Sequence, residues 1–282
     1  MNAVADITQS RITRRFAKLK AEKRPGFVAF VTANDPNPET FREIFHGLPQ
    51  AGADVIEVGM PFSDPMADGP SIQASSQRSL KFNTSLKDVF AAVREFRTVD
   101  PETPIVLMGY YNPIYKMGPA KFAEQAAAAG ADGVIIVDLP PEEAEELDVH
   151  LRAHRLHFIF LTAPTSSDAR LPTIISRASG FLYYVAVAGI TGTKSAEEGA
   201  VKDAVARLRR HTNLPIAVGF GIRTAEAARI IAGHCDAAVV GSAIVDVIAK
   251  GLNQDGKPAP GLAQTVLQFA KTLADAVHGA RS

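Results

Sequence analysis

A single cysteine, Cys235, occurs in 282 residues, which excludes an internal disulfide and a cysteine-rich zinc site. Charge of either sign is not in excess: Lys and Arg number 30 and Asp and Glu number 30, so no basic footprint for nucleic acid or an anionic membrane is present. Long hydrophobic runs are also missing. Gly or a charged residue breaks each apolar stretch after about eight residues, short of the roughly 20 that span a bilayer. The N-terminus lacks the apolar core of a secretory signal. These absences predict a cytoplasmic protein that acts on a small molecule, with no nucleic-acid or membrane partner.

What the chain has instead is 46% hydrophobic content, enough to bury a large interior. Short β-branched runs recur at 27–33, 54–60, 104–111, 133–139, 157–163, 180–187, 215–222 and 237–245. They are continuously apolar rather than alternating, as strands of a parallel sheet are when helices cover it. Ala-rich helical stretches such as AKFAEQAAAAG and EGAVKDAVARLRR separate them. Eight β-then-α units over about 250 residues predict a single (β/α)8 TIM barrel domain across 1–282, with an open doubly wound sheet as the alternative. The Pro/Gly-rich stretch 253–261 reads as a loop before a last helix.

Ahead of the first strand, Ile12, Phe16 and Leu19 form one stripe of an extra N-terminal helix. The surrounding Arg11, Arg14, Arg15 and Lys18 read as a solvated face.

In such a barrel the chemistry sits where strands end and helices begin. Three of those ends are rich in glycine and small hydroxyls: AGITGT after the sixth strand, GFGIRT at the seventh, and GSA within the eighth. Glycine lets backbone amides approach an anion, and a helix that starts after such a turn aims its free N–H groups and positive dipole end at the same point. Together these ends predict a phosphate site. Two motif matches are declined. Gly189 to Ser195 lacks the Gly-Lys of a P-loop, and Gly219-Phe220-Gly221 is followed by Thr224 where a dinucleotide fingerprint has Gly or Ala.

Glu57 interrupts the apolar run VIEVGM two residues before Gly59, so its side chain is expected inside the barrel near the top. Burial disfavours its charged form and raises its pKa, which suits a group that gives and takes protons near neutral pH. The alternative is a core carboxylate tied to a structural partner. Asp68 lies in the next loop, PFSDPMADGP, whose prolines restrict it without regular structure; Asp64 there reads more simply as a turn residue. No lysine falls within the eight runs, so a Schiff-base aldolase has no evident nucleophile. His157 opens the fifth strand at the barrel's bottom and the other histidines fall in helices or connections, so a metal-dependent aldolase lacks ligands. What remains is acid/base chemistry.

IEVGMPFSDPMADGPSIQ, followed in order by AGITG, GFGI and GSAIV, resembles the tryptophan synthase α-subunit family over nearly the whole chain from Arg11. The resemblance implies retro-aldol cleavage of indole-3-glycerol phosphate to indole and glyceraldehyde 3-phosphate. It implies Glu57 as catalytic acid/base and Asp68 as the second carboxylate. Phe30, Tyr110, Ile135 and Phe220 match positions lining the indole pocket, and Thr191 and Tyr183 match a mobile-loop threonine and a neighbouring tyrosine. Gly192, Gly219, Gly221, Gly241 and Ser242 fall in the phosphate segments. The family also implies a β subunit in an α2β2 heterotetramer, with pyridoxal phosphate in that partner and no cofactor in this chain. Exposed Pro, Met, Tyr and Ile of PFSDPMADGP and NPIYKMG are the expected contact residues. Two positions depart from the family pattern: Val187 stands where some members have arginine, and Gly109, where bulkier residues occur, predicts a wider pocket. A sugar-phosphate isomerase and a non-catalytic regulatory subunit are the competing readings.

Overall fold

A computed structural model describes residues 9–185, 194–219 and 221–281. Its strands are β1 (Gly26–Thr32), β2 (Val55–Gly59), β3 (Ile105–Gly109), β4 (Gly133–Ile136), β5 (His157–Phe158), β6 (Leu161–Thr162), β7 (Leu182–Val185), β8 (Ile216–Gly219) and β9 (Ala237–Val240). They pair in parallel in the order β5-β4-β3-β2-β1-β9-β8-β7-β6. The ends of that order, β5 and β6, are two halves of one extended stretch, the first pairing with β4 and the second with β7. Between them the Ile159 amide donates to the Val134 carbonyl at 2.9 Å and the Tyr183 amide to the Phe160 carbonyl at 3.1 Å. The sheet therefore closes: nine segments, two sharing a stave, make the eight staves of a (β/α)8 barrel.

The covering helices are α2 (Pro38–Gly47) after β1, α3 (Pro70–Leu80) and α4 (Leu86–Arg97) after β2, and α5 (Tyr111–Met117) and α6 (Pro119–Ala129) after β3. Then come α7 (Glu145–Ala153), α8 (Leu171–Arg177), α9 (Lys194–Arg209) and α10 (Ala225–Ala232), with α11 (Ser242–Lys250) and α12 (Leu262–His278) after β9. α1 (Arg11–Ala21) precedes them all. Local chemistry sets several boundaries. The Asn37 side chain accepts from the Thr40 amide with Pro38 in the first turn of α2, and Ser85 and Asp88 cap α4 reciprocally. Gly130 ends α6 at φ +94°, where a Cβ would be strained. None of the helices among the described residues is long and apolar enough to cross a membrane.

The strands face two cores. Ile56, Val58, Leu107 and Val134 point outward and pack with helix residues such as Phe90, Phe122 and Leu273. Val28, Val55, Val106, Ile135, Ile159, Ala217 and Ala237 point inward and meet Ile12, Phe16 and Leu19 of α1. The N-terminal helix is thus the plug of the barrel's bottom, with Phe16 and Phe181 rings 5.6 Å apart. Each of these three buried side chains contributes about 1.5–3 kcal/mol.

Two expectations need correction. The apolar run 237–245 is not one strand: β9 ends at Val240 and Ser242 already opens α11. Nor is the basic face of α1 simply solvated. Arg11 pairs with Asp132 at 2.9 Å and Arg15 with Asp54 at 3.2 Å, and both carboxylates are buried. Arg97 also binds Asp132, whose second oxygen accepts from the Ile105 amide at 2.8 Å. These aspartates fasten neighbouring strand starts to α1.

Asp54 carries the larger share of that fastening. It accepts from the Phe27 amide at 3.0 Å, from Arg24 at 2.9 Å and lies 2.9 Å from His278 on α12. Burial alone raises its carboxyl, but the bonds from His278, Arg24 and the Phe27 amide outweigh that and hold it far below the usual carboxylate range. A depressed folded pKa gives stability that is present above the unfolded value and is lost as pH falls below it. Asp54→Asn is therefore expected to cost about 2 kcal/mol at neutral pH in denaturant melts. The gap to the parent should start to narrow as pH falls below about 4 and close only as pH passes the depressed folded value, where both carry a neutral group. Equal stability at pH 7 would refute the assignment.

Candidate active site

The two-residue alternation inside the barrel positions the first carboxylate. Val28, Val55 and Val106 lie in the inner core, and two residues further along their strands, about 6–7 Å higher, come Phe30, Glu57 and Met108. In register, Phe30 sits beside Glu57 and Glu57 beside Val106. At this level the filled interior gives way to a cavity of about 160 Å³ at the strand C-termini. Phe30, Glu57, Asp68, Met108, Tyr183, Gly219, Gly221, Gly241 and Ser242 line it.

Glu57 is 1% exposed, and neither carboxylate oxygen has a hydrogen-bond partner among the described residues. A core carboxylate held for architecture would be paired, as Asp54 and Asp132 are. Burial pushes the Glu57 carboxyl up to about 8, so it carries a proton at neutral pH.

Asp68 comes from the loop between β2 and α3. The Tyr110 hydroxyl donates to its Oδ2 at 3.1 Å and accepts from the Ala67 amide at 2.9 Å, while Gln73 Nε2 donates to the Asp68 carbonyl at 2.9 Å. Tyr110 itself is buried where β3 passes into α5, and the Phe62 ring lies 5.3 Å from it. Burial raises the Asp68 carboxyl and the Tyr110 bond partly reverses that. Asp64, exposed and bonded to Ser63, belongs to the turn.

Tyr183, on β7, lines the same cavity as both carboxylates. Burial first, then the Glu57 and Asp68 charges, raise its phenol well above the usual value. Its ring explains the glycine at the end of β8: a Cβ on Gly219 would fall 2.7 Å from the Tyr183 hydroxyl. Gly221 follows at φ +62°. Across the cavity Gly241 precedes α11, and a Cβ there would meet Phe30 at 3.3 Å. With Gly241 and Ser242 on the wall, the first turn of α11 opens into the cavity, an arrangement that favours an anion. By contrast, Thr224 caps α10 with its own side chain.

Among the residues named from the sequence, Thr191, Gly192 and Phe220, with Val187, lie outside the described residues. Tyr110 lines a small adjoining recess together with Asp68, Phe30 and Thr32. Ile135 sits in the fully buried inner core, and Met108, which pairs with it in register, takes the place on the cavity wall. Met108 and Ile72 went unnamed; counting two residues up from Val106 would have found Met108. The space over Gly109 is filled, since a Cβ there would lie 2.9 Å from the Met60 methyl, so that glycine does not widen the cavity. No lysine lies in any described strand, and no group of three or more His, Cys, Asp or Glu among the described residues is arranged to hold a metal. His157 is buried at the opposite end with its Nε2 2.7 Å from Ser10.

The site geometry is matched by likeness over the whole fold. A family model described as tryptophan synthase alpha chain matches residues 16–278. The crystal structure of tryptophan synthase subunit alpha from Legionella pneumophila str. Paris is 39% identical, with 95% of this chain and 98% of that chain covered and a TM-score of 0.87. A tryptophan synthase alpha chain from Legionella pneumophila subsp. pneumophila is 37% identical over 95% and 97%, TM-score 0.86. Tryptophan synthase from M. tuberculosis in its open form is 30% identical over 95% and 99%, TM-score 0.83. With the barrel, its plugged bottom and this match over nearly all its length, the chain belongs to the tryptophan synthase alpha chain family.

Proposed function

We propose that Glu57 and Asp68 carry out this family's reaction in a single barrel domain, the cleavage of indole-3-glycerol phosphate to indole and glyceraldehyde 3-phosphate. The observation that carries the reading is Glu57 itself, a buried carboxyl with no hydrogen-bond partner among the described residues, pushed by burial up to about 8 and facing a cavity. The ring must be protonated at C3 before it can leave, and the neighbouring side-chain hydroxyl must lose a proton as the aldehyde forms. Glu57 gives its proton to C3, leaving an indoleninium. As the carbon–carbon bond breaks, its electrons return to the ring, the carbonyl forms, and the hydroxyl proton passes to the Glu57 carboxylate. The group is restored with no net proton change. Asp68, ionised and held by Tyr110, accepts the N1–H and stabilises the positive charge developing on the indole.

Phe30, Met108, Tyr183 and Val239 offer the apolar bicycle its walls, and the first turn of α11 with Gly219, Gly221, Gly241 and Ser242 holds the phosphate. Ile135 supports that wall from beneath and Tyr110 orients Asp68. Thr191, Gly192 and Phe220 complete the site on the family pattern.

The chain needs no cofactor of its own in this reading; pyridoxal phosphate belongs to the β subunit that receives the indole in an α2β2 assembly in the cytoplasm. Support for the contact face comes from Met66 and Tyr115, 76% and 63% exposed beside the barrel mouth. Ile114, expected there from the sequence, is buried.

The test is an indole assay on the purified chain supplied with indole-3-glycerol phosphate, alone and after mixing with a tryptophan synthase β subunit, with size-exclusion chromatography of the mixture. Indole release and an α2β2 complex are the expected results. Absence of indole in both arms would overturn the catalytic reading, and indole without a complex would overturn only the partner.

A further inference from the structure

A second cavity, of about 570 Å³, lies at the opposite end of the barrel. Its walls come from segments that enter strands: Lys20, Lys23 and Arg24 before β1, Arg209 before β8, and Asp236 before β9, closed by Arg281 from the turn after α12. Among the described residues, five cations thus surround one carboxylate, in a chain whose total charge is zero.

The existing bonds leave much of that charge uncompensated. Arg24 is committed to Asp54 and Glu22. Arg209 pairs with Asp236, which also accepts from the Ile216 amide at 2.7 Å. Arg281 donates to the Cys235 carbonyl, and neither it nor Lys20 or Lys23 forms an ion pair with a described carboxylate. Arg281 also lies close enough to Arg209 to disfavour its charge, an effect second to burial. The backbone fixes Lys23 in place: it sits at φ +55° just past α1, with its amide on the Lys20 carbonyl and the Arg24 amide on that of Leu19. Like charges gathered in a recess are unfavourable until an anion joins them.

We propose that this recess is a second binding site, separate from the catalytic mouth, for a phosphorylated small molecule with at least two negative charges. Lys20, Lys23 and Arg281 supply charge-assisted hydrogen bonds, and the volume accommodates more than one phosphoryl group. Because the site joins α1 to the C-terminal turn, its ligand stabilises the folded chain by mass action.

Isothermal titration with inorganic pyrophosphate, at ionic strength matched with sodium chloride, tests this on the full chain. The parent is expected to bind, and Lys20→Glu/Lys23→Glu and Arg281→Glu are each expected to weaken binding about tenfold or more. Lys87→Glu, an exposed charge reversal on α4 away from the cavity, should leave it unchanged. A Lys20→Gln/Lys23→Gln variant gives the same direction if charge reversal unsettles α1. Pyrophosphate held at the barrel mouth instead would bind all these variants as tightly as the parent, and that result overturns the proposal. So does a parent that binds none. Indole formation, which uses none of these residues, should be retained by the lysine variants.

Discussion

Glu57→Gln is expected to abolish indole formation, with a loss of about 10⁴-fold or more, while glycerol 3-phosphate still binds. General acid–base catalysis contributes about 10²–10⁴-fold for a single proton transfer, and Glu57 is assigned two. Glutamine keeps the size of the side chain and loses both the proton donor and the base that follows it. The proposed phosphate end, at the first turn of α11, is untouched. Titration with glycerol 3-phosphate separates the two effects, and turnover near that of the parent would end the assignment.

The same carboxyl makes two pH predictions. kcat/KM should fall as pH rises through about 8, because the free chain then loses the proton that C3 needs. Stability has the matching sign. A carboxyl raised from 4.5 to about 8 binds its proton more tightly in the folded chain, so the parent loses stability as pH climbs through that window. Glutamine does not titrate, so Glu57→Gln should lack this decline, amounting to a few kcal/mol on the order-of-magnitude scale of such shifts. Parallel stability curves for parent and variant between pH 5 and pH 8 would show that burial does not hold the proton on Glu57. The site is thus stabilised by losing its function, the trade expected where a buried group is kept for chemistry.

Glu57 stood out in the sequence because a charge in VIEVGM, within a strand buried on both faces, calls for either a structural partner or a chemical role. The same double burial hid other features. Ile135 and Met108 are equally apolar, and no hydropathy alternation distinguishes the residue beneath the cavity from the residue on its wall. The run AAVVGSAIV is apolar across the end of β9 and the first turn of α11, so its pattern does not mark the helix start that opens into the cavity. Arg11 and Arg15 look solvated because their partners, Asp132 and Asp54, lie 121 and 39 residues away. Local signals carried the element order and the inner stripe of α1; contacts distant in sequence carried the fastenings of the barrel's bottom. Tyr110 shows the intermediate case. The resemblance implies its ring on an indole wall, and it lines the recess beside Asp68; that its hydroxyl meets Asp68 and the Ala67 amide is visible only in the fold.

Asp68→Asn should slow indole formation by about 10²–10³-fold with little change in glycerol 3-phosphate affinity, the size expected when one group stabilising transition-state charge is removed. Asparagine still accepts a hydrogen bond from Tyr110 and from an indole N1–H. What it lacks is the negative charge that the indoleninium requires, so the loss belongs to the transition state and lowers kcat more than it raises KM. The loop itself should stay in place. Its position rests on main-chain bonds that the substitution spares: Ala67 amide to Tyr110, Gln73 to the Asp68 carbonyl, and Asp68 amide to the Pro65 carbonyl at 3.0 Å. If rate and phosphate affinity fell together, Asp68 would be a loop-ordering residue, and the charge opposite Glu57 would have to come from elsewhere. Comparison with Tyr110→Phe makes the distinction sharper. Removing that hydroxyl takes away the bond that lowers the Asp68 carboxyl, so a smaller loss, with its acid limb moved to higher pH, is the signature of an Asp68 that must be ionised to act.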